Sequence, residues 1–437
     1  MKVYFYTLGC RVNQYETDAV RELFIKAGYE IVSDPGSADV CVVNTCTVTG
    51  EADRKSRQQL RKMARLNPDA VICAMGCSSE MSEGMIDADV VCGTRDKHLL
   101  TEKIDTFLRS GIKREHKAEL KDKTSMNEPA DFGTVISPEM SRAYIKVEDG
   151  CNSFCSYCII PFARGRVVSR KEEDVLSEVK AIADSGIREV CITGIHVCSY
   201  GKDRGEDIMS LYSLIHKIGQ IEGIRRISLG SMEPKSVTPE FISALKTEEK
   251  LLKHFHLSLQ SGSDTVLKRM NRHYTADEYY EVAKALREAF GPFSLTTDVI
   301  CGFPEETEEE FAETMEFVKR AGLNKIHVFP YSVRKGTRAA SMPQVPADII
   351  KERAKRLISL SDELEKEFAK SFEGTCVEVM VEKSERTDDM FSLKGYTNEY
   401  VYAEVLSDKD HPAGTIIRAN VIRANGNTLI TAPADPE

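Results

Sequence analysis

The chain has 437 residues, of which 41% are hydrophobic and 29% charged, with a formal net charge of −10. This excludes a single small core and a disordered chain, and no apolar run approaches the ~20 residues of a membrane span. The acidity excludes indiscriminate nucleic-acid binding but not a local basic face, and the 13 cysteines, odd in number and not laid out as a disulfide framework, point to a reducing cytoplasm and to metal ligation.

From the start, residues 1–110 alternate strand-like and helix-like segments. "KVYFYTLG" reads as a strand and Asn13 to Ala27 as a helix. "ADVCVVNTC" is a second apolar run, followed by the polar helix "EADRKSRQQLRKMARL", and "AVICAMGC" and "DADVVCG" continue the plan. Buried strands alternating with helices predict an open parallel sheet, with its binding crevice at the carboxyl ends of the strands. Cys10, Cys46 and Cys77 each fall just after such a strand. They are candidates to converge at one sheet edge, although free cysteines so placed also serve as small buried hydrophobes. Cys41, Cys73 and Cys92 lie in the apolar runs and read as core. "TLGC" imitates a lipid-attachment box, but the apolar stretch before it is too short for a signal. Arg54, Arg57, Arg61 and Arg65 share one face of the second helix, either an RNA contact or a solvated face.

Residues 111–136, polar throughout "KREHKAELKDKTSMNEPADFG", read as a linker. Over residues 137–345 a strand–helix rhythm returns, with strands "AYIKVE", "EVCITG", "RRISLGS", "HFHLSLQ", "LTTDVICG" and "KIHVFPYS". Such βα units predict a partial (βα)6 barrel with its chemistry at the carboxyl ends of the strands. Gly194, Glu233, Gln260, Gly302 and Tyr331 lie at or just past those ends and should face one mouth. His254 and His256 share one face of a strand, and a hydrogen-bonded interior is expected of them rather than a metal. A helix over residues 346–371 leads to residues 372–437, where "TCVEVMVE", "EYVYAEV" and "TIIRANVIRANGNTLITA" predict a small all-β barrel. Tyr396, Tyr400 and Tyr402 there are candidates for stacking on bases or for its core.

The densest signal is "DGCNSFCSYCIIP", Asp149 to Pro161, with Cys151, Cys155 and Cys158 and no fourth cysteine beside them. A structural zinc site wants four ligands, and a cubane iron–sulfur cluster usually takes four thiolates. Three thiolates on a four-iron cluster leave one iron free to bind a substrate or cofactor. Gly150, Asn152, Ser153 and Pro161 make this a loop rather than a helix face.

"CNSFCSYC" resembles the cluster loop of radical S-adenosylmethionine enzymes. "CSYCIIPFARGRVVSR", "LSLQSGSDTVLKRMNRHYT" and "TTDVICGFPEETEEEF" are similar to successive motifs of the methylthiotransferase branch of that superfamily, and the likeness covers nearly the whole chain. It implies that the open iron chelates the methionine part of S-adenosylmethionine, whose reductive cleavage yields a 5′-deoxyadenosyl radical. It implies a second, auxiliary cluster on Cys10, Cys46 and Cys77, two 4Fe-4S clusters in all, and a terminal TRAM domain. "TLGCRVNQYET" is similar to the subfamily acting on N6-threonylcarbamoyladenosine beside the tRNA anticodon. Two departures stand out: Glu305 where the family commonly has Gly, and Gly230 where a hydroxyl residue is more usual.

The implied reaction replaces the C2 hydrogen of that adenine by a methylthio group. This C–H is not acidic, so radical chemistry rather than a general base must open it. The resemblance implies a tRNA partner, a low-potential electron donor and no membrane. Gly194, Glu233, Gln260 and Asp298 are the expected cofactor contacts, and Arg164 and Arg166, with Arg170 and Lys171 behind them, a second RNA-facing group. The rival targets are isopentenyladenosine and a ribosomal-protein aspartate. The rivals of another class are a non-catalytic iron–sulfur electron carrier and a zinc or iron–sulfur RNA-binding protein.

Overall fold

"VCVVNT" and "VICAMG" form two strands buried at every residue, as expected of strands covered on both faces of a parallel sheet. The computed structural model describes residues 1–81, 86–110, 132–135, 141–387 and 390–434. The N-terminal part runs β1 (Lys2–Thr7), α1 (Arg11–Lys26), β2 (Glu30–Ile31), β3 (Val40–Thr45), α2 (Gly50–Leu66), β4 (Val71–Gly76), α3 (Cys77–Met81), β5 (Val90–Cys92) and α4 (Leu100–Ser110). Its five strands pair in the order β2-β1-β3-β4-β5, all parallel. One apolar cluster, including Tyr15 and Phe24 of α1, covers one face, and another, including Leu60 and Met63 of α2, covers the other. The expected linker falls largely on residues outside those described.

The central part contributes β6 (Arg142–Lys146), β7 (Glu148–Asp149), α5 (Ile160–Arg164), β8 (Val168–Ser169), α6 (Glu172–Asp184), β9 (Glu189–Thr193), α7 (Met209–Gly219), β10 (Arg226–Leu229), α8 (Pro239–Leu245), β11 (His254–His256), α9 (Asp264–Arg269), α10 (Ala276–Phe290), β12 (Ser294–Cys301), α11 (Glu308–Arg320) and β13 (Lys325–Pro330). β6, β9 and β10 form one three-stranded parallel sheet and β11, β12 and β13 another. Parallel bridges Ile227↔Leu251 and Met232↔Leu257 join the two, so six strands follow one another in chain order. "HFHLSLQ" yields only a three-residue strand. Its end survives as a bridge from Gln260 to Val299, at a residue whose backbone is left-handed, φ 69°. The "GFPEET" loop after β12 is held by Glu306, which accepts from Gly302 N at 2.7 Å and from Arg353 Nη1 at 2.8 Å.

Arg353 belongs to α12 (Ala347–Lys370), which packs on β13 and leads to β14 (Cys376–Thr387), β15 (Met390–Thr397), β16 (Tyr402–Ser407), β17 (Ile416–Asn425) and β18 (Thr428–Pro433). These five strands close as a ring, β14-β15-β16-β18-β17, around an apolar interior. The ring docks where the six parallel strands begin. Arg226 Nη2 donates to Thr397 O at 2.9 Å and Arg142 Nη1 to Tyr400 Oη at 2.9 Å.

The N-terminal part reaches both edge strands of the six-stranded array. On the β6 side, Lys146 Nζ meets Glu16 of α1 at 3.0 Å. Past β13, Ser332 Oγ accepts from Gly50 N at 2.8 Å, and Arg334 reaches Thr47 and Asp53.

Candidate active site

Three cysteines follow three neighbouring strands of the N-terminal sheet. Cys10 is the residue before α1 and makes no capping hydrogen bond, Cys46 follows β3, and Cys77 opens α3. The chain turns sharply at each point. Gly76 takes φ +105°, and a Cβ there would lie 2.5 Å from Asn44 Oδ1 and 2.6 Å from Thr45 O, so no larger residue fits before Cys77. Asn13 Nδ2 ties Leu8 O (2.7 Å) to Thr45 O (3.1 Å), and Asn44 Nδ2 returns to Asn13 O at 2.8 Å. These two asparagines lace the cysteine loops together. Cys46 and Cys77 are buried while Cys10 is exposed. Burial first pushes both thiols up, that of Cys46 to about 12, with Cys77 and Cys10 adding to the rise at Cys46 and Cys10 at Cys77. Arg164 pulls both the other way, joined at Cys77 by Lys97.

The second triad sits on the loop after β7. Gly150, φ +83°, brings Arg166 O within 2.1 Å of where a Cβ would stand, so the loop closes on glycine alone. Ser153 N donates to Cys151 Sγ at 3.4 Å and Arg272 Nη1 to Cys155 Sγ at 3.2 Å. Ser156 pins the loop, its N donating to Met270 O and its Oγ to Arg269 O. Burial and then the neighbouring Cys155 raise the Cys151 and Cys158 thiols, Cys158 to about 12.

In both triads the thiols oppose one another's ionisation, an arrangement that suits soft thiolate ligands around a cationic centre. Among the described residues, no three His, Cys, Asp or Glu side chains surround a point suited to one metal ion. A polynuclear cluster gives each thiolate its own iron and so spreads its ligands more widely.

A buried charge network joins the scaffolds of the two triads. Arg164 donates to Glu16 Oε1 (2.9 Å), Asp149 Oδ1 (3.0 Å) and Asn13 Oδ1 (2.8 Å). Lys146 bridges Glu16 (3.0 Å) and Asp149 (3.1 Å), and Lys97 also pairs with Glu16. Three cations thus meet two carboxylates, and the surplus positive charge faces the first triad through Cys77. Arg164 was expected to face RNA. It is 0% exposed, so that assignment is corrected: its guanidinium is consumed in locking α1 to β7. Arg170 is likewise drawn inward, onto Glu178 at 2.6 Å. Arg166 does stay exposed, with its guanidinium 5.7 Å from the Phe154 ring, which meets Phe162 edge-on at 6.1 Å.

A cavity of about 840 Å3 runs between the N-terminal part, the parallel strands and the terminal ring. Of the expected site residues, Cys10, Gly194 and Asp298 line it, together with His254, His256, His327 and Tyr400. Glu233 and Gln260 do not. Glu233 pairs with Arg272 Nη2 at 3.1 Å and faces His196 Nε2 at 3.1 Å. Burial opposes its charge, but these two partners hold it down to about 2. His254 and His256 hydrogen-bond Thr296 Oγ1, at 3.2 and 2.9 Å, and Asp298 lies 3.3 Å from His256 Nε2. Tyr396, Tyr400 and His254 stack on one another rather than standing free. Arg54, Arg57, Arg61 and Arg65 line a shallow groove of about 720 Å3 on α2 with Asp87, although Arg54 is paired with Glu51.

Several residues beside the triads were not singled out from the sequence. Arg272 links Cys155 to Glu233 and has a local signal only in hindsight, in "MNRHY". Glu148, fully buried beside Gly194, accepts from His196 N at 2.5 Å through Oε1 while its Oε2 has no partner, and burial raises its carboxyl to about 8.

Residues 145–318 match the Radical SAM superfamily and residues 2–92 the Uncharacterized protein family UPF0004. The chain is 39% identical to the threonylcarbamoyladenosine tRNA methylthiotransferase MtaB of Bacillus subtilis, over 97% of this chain and 94% of that one. It is 32% identical to a tRNA-2-methylthio-N(6)-dimethylallyladenosine synthase of Clostridium botulinum, over 97% and 95%. Among solved structures, the radical S-adenosylmethionine methyltransferase TsrM of Kitasatospora setae, solved with cobalamin and a 4Fe-4S cluster bound, superimposes with a TM-score of 0.56 at 15% identity, over 78% of this chain and 74% of that one. That likeness is one of fold.

Proposed function

The chain belongs to the threonylcarbamoyladenosine tRNA methylthiotransferases of the radical SAM superfamily, and from that premise we propose how its residues convert C2–H of N6-threonylcarbamoyladenosine in tRNA to C2–S–CH3. Its cofactors are two iron–sulfur clusters and S-adenosylmethionine. Cys151, Cys155 and Cys158 would hold the cluster that binds S-adenosylmethionine, and Cys10, Cys46 and Cys77 the auxiliary one. When bound, these groups supply the radical chemistry, the sulfur and the methyl carbon that the exchange needs.

The chain's own residues position and shield that chemistry. Arg272 donates to the sulfur of Cys155 while its other nitrogens are fixed by Tyr274 and Glu233. A cation so held stabilises negative charge on a thiolate. Glu148 offers an unpartnered buried oxygen beside Gly194, a fitting acceptor for the ammonium of a bound amino acid. The network of Arg164, Lys146, Lys97, Glu16 and Asp149 keeps the two cysteine loops in register. The six parallel strands read as a partial (βα)6 barrel, and the ring after α12 as a TRAM domain. Arg166 with Phe154 and Phe162 forms a cationic and aromatic lip suited to a nucleic-acid strand, and the α2 arginines suit a second phosphate contact. A low-potential donor must feed the clusters. No described helix is long and apolar enough to cross a membrane, in keeping with a cytoplasmic enzyme meeting tRNA.

The observation that carries the reading is the pair of cysteine triads, each at the carboxyl end of parallel strands and joined through one buried charge network. Its test is nucleoside mass spectrometry of tRNA from cells lacking this protein. The 2-methylthio derivative should vanish while N6-threonylcarbamoyladenosine accumulates. An unchanged methylthio peak would overturn the reading.

A further inference from the structure

Many buried and half-buried arginines of this protein pair with carboxylates, Arg142 with Glu189 and Glu382, Arg164 with Glu16, Arg170 with Glu178, Arg272 with Glu233 and Arg353 with Glu306, and others donate to backbone carbonyls, as Arg95 does to Arg164 O and Arg287 to Gly322 O. Half-buried Arg11 has neither kind of partner among the described residues. It lines the central cavity beside Cys10, and the hydrogen bond its side chain makes is from Nη1 to Cys191 Sγ at 3.4 Å, a weak acceptor. The other groups that bear on its charge are the phenols of Tyr144 and Tyr400. Among the described residues no carboxylate pairs with it. The carboxylates that do line the cavity are answered elsewhere, Asp298 facing His256 at 3.3 Å and Glu365 pairing with Lys325 at 2.6 Å.

A half-buried guanidinium without a counter-ion is costly unless a ligand supplies one. Its planar fork matches a carboxylate through two parallel N–H···O bonds. The substrate named above carries one such group that plain or prenylated adenosine lacks, the threonine carboxylate on N6. We propose that Arg11 is the substrate-recognition residue, binding that carboxylate in the central cavity and so selecting an anionic N6 substituent. The inference rests on the functional reading and deepens it. The residue beside Cys10 then reads the substituent on N6, next to where sulfur is handled, while Tyr400 lines the same cavity.

The test compares two anticodon stem-loop RNAs, one carrying N6-threonylcarbamoyladenosine and one its neutral threoninamide analogue, on the anaerobically prepared holoenzyme. Binding is read by fluorescence anisotropy and turnover by kcat/KM. The wild type should favour the carboxylate by roughly 10- to 100-fold, the range of a charge-assisted pair. Arg11→Gln should erase most of that preference and Arg11→Lys keep part of it, with iron content reporting that each variant is folded. A preference surviving in Arg11→Gln overturns the proposal. So does a wild type indifferent to the charge, a result that needs no variant. A wild type that binds and methylthiolates neither RNA overturns the functional reading itself, and the proposal with it.

Discussion

Replacing Arg164 by Met should uncouple the two halves of the reaction. The side chain is 0% exposed and donates to Glu16, Asp149 and Asn13. Breaking a buried pair from one side costs about 3–5 kcal/mol when the partner is left alone. Here Glu16 keeps Lys97 and Lys146, and Asp149 keeps Lys146 and its bond to Gly150 N at 2.8 Å. The loss therefore belongs at the lower end, about 3 kcal/mol, or roughly a hundredfold in the equilibrium that holds α1 against β7. Met restores the volume, so the effect is electrostatic rather than a cavity. Hydrogen exchange at α1 should speed up by that factor. S-adenosylmethionine cleavage without tRNA should fall far less than methylthiolated product, because the second triad stays on its own loop while the first is no longer held opposite. Cleavage and product falling in parallel, or exchange at α1 unchanged, would refute the coupling role.

Glu305 has φ +62° and is exposed. Left-handed backbone costs a side-chain-bearing residue about 1–2 kcal/mol, and glycine's extra unfolded-state freedom takes back about 0.5–1. Glu305→Gly should thus stabilise by about 0.5–1 kcal/mol in thermal unfolding and Glu305→Ala by almost nothing, whereas a destabilising Gly variant would contradict the strain. Glu148 is buried with its carboxyl raised to about 8, so the folded state binds more protons than the unfolded one above about pH 4.5. Stability should decline as pH rises from there through about 8. Glu148→Gln should flatten that slope in urea titrations, and a slope unaltered in the variant would count against a buried, protonated Glu148. Arg57→Glu with Arg61→Glu reverses two exposed charges in the α2 groove, which should weaken tRNA binding at low salt and make log K less steep in log salt by about 1 or more. Affinity unchanged across salt would remove α2 from the interface.

Local chemistry was legible where its cause is local. The Cys151, Cys155 and Cys158 loop announces itself by spacing and by the Gly, Asn and Pro around it, and the buried strands by their unbroken apolar runs. Cys10, Cys46 and Cys77 were harder: strand-end position made them candidates, and the resemblance alone made them a set. Arg164 misled because its sequence neighbours are basic and near the cluster loop. Its burial is decided by Glu16, 148 residues away, and no window of sequence contains both. Arg11 carries no signal of its own, since an arginine beside a motif looks the same whether its counter-ion is a neighbouring glutamate or a substrate. The short β11 shows the same limit: "HFHLSLQ" alternates as a strand, but regular pairing stops at His256 and continues only as single bridges at Leu257 and Gln260.

The account stands on two separate thiolate triads, and counting iron tests it most directly. Wild type, a Cys151→Ala, Cys155→Ala, Cys158→Ala triple variant and a Cys10→Ala, Cys46→Ala, Cys77→Ala triple variant would be purified without oxygen and assayed for iron and sulfide, with Mössbauer spectra. The wild type should hold two clusters and each triple variant one, with S-adenosylmethionine perturbing the spectrum only when Cys151, Cys155 and Cys158 are intact. A single cluster in the wild type, or a Cys10, Cys46 and Cys77 variant with undiminished iron, would contradict it.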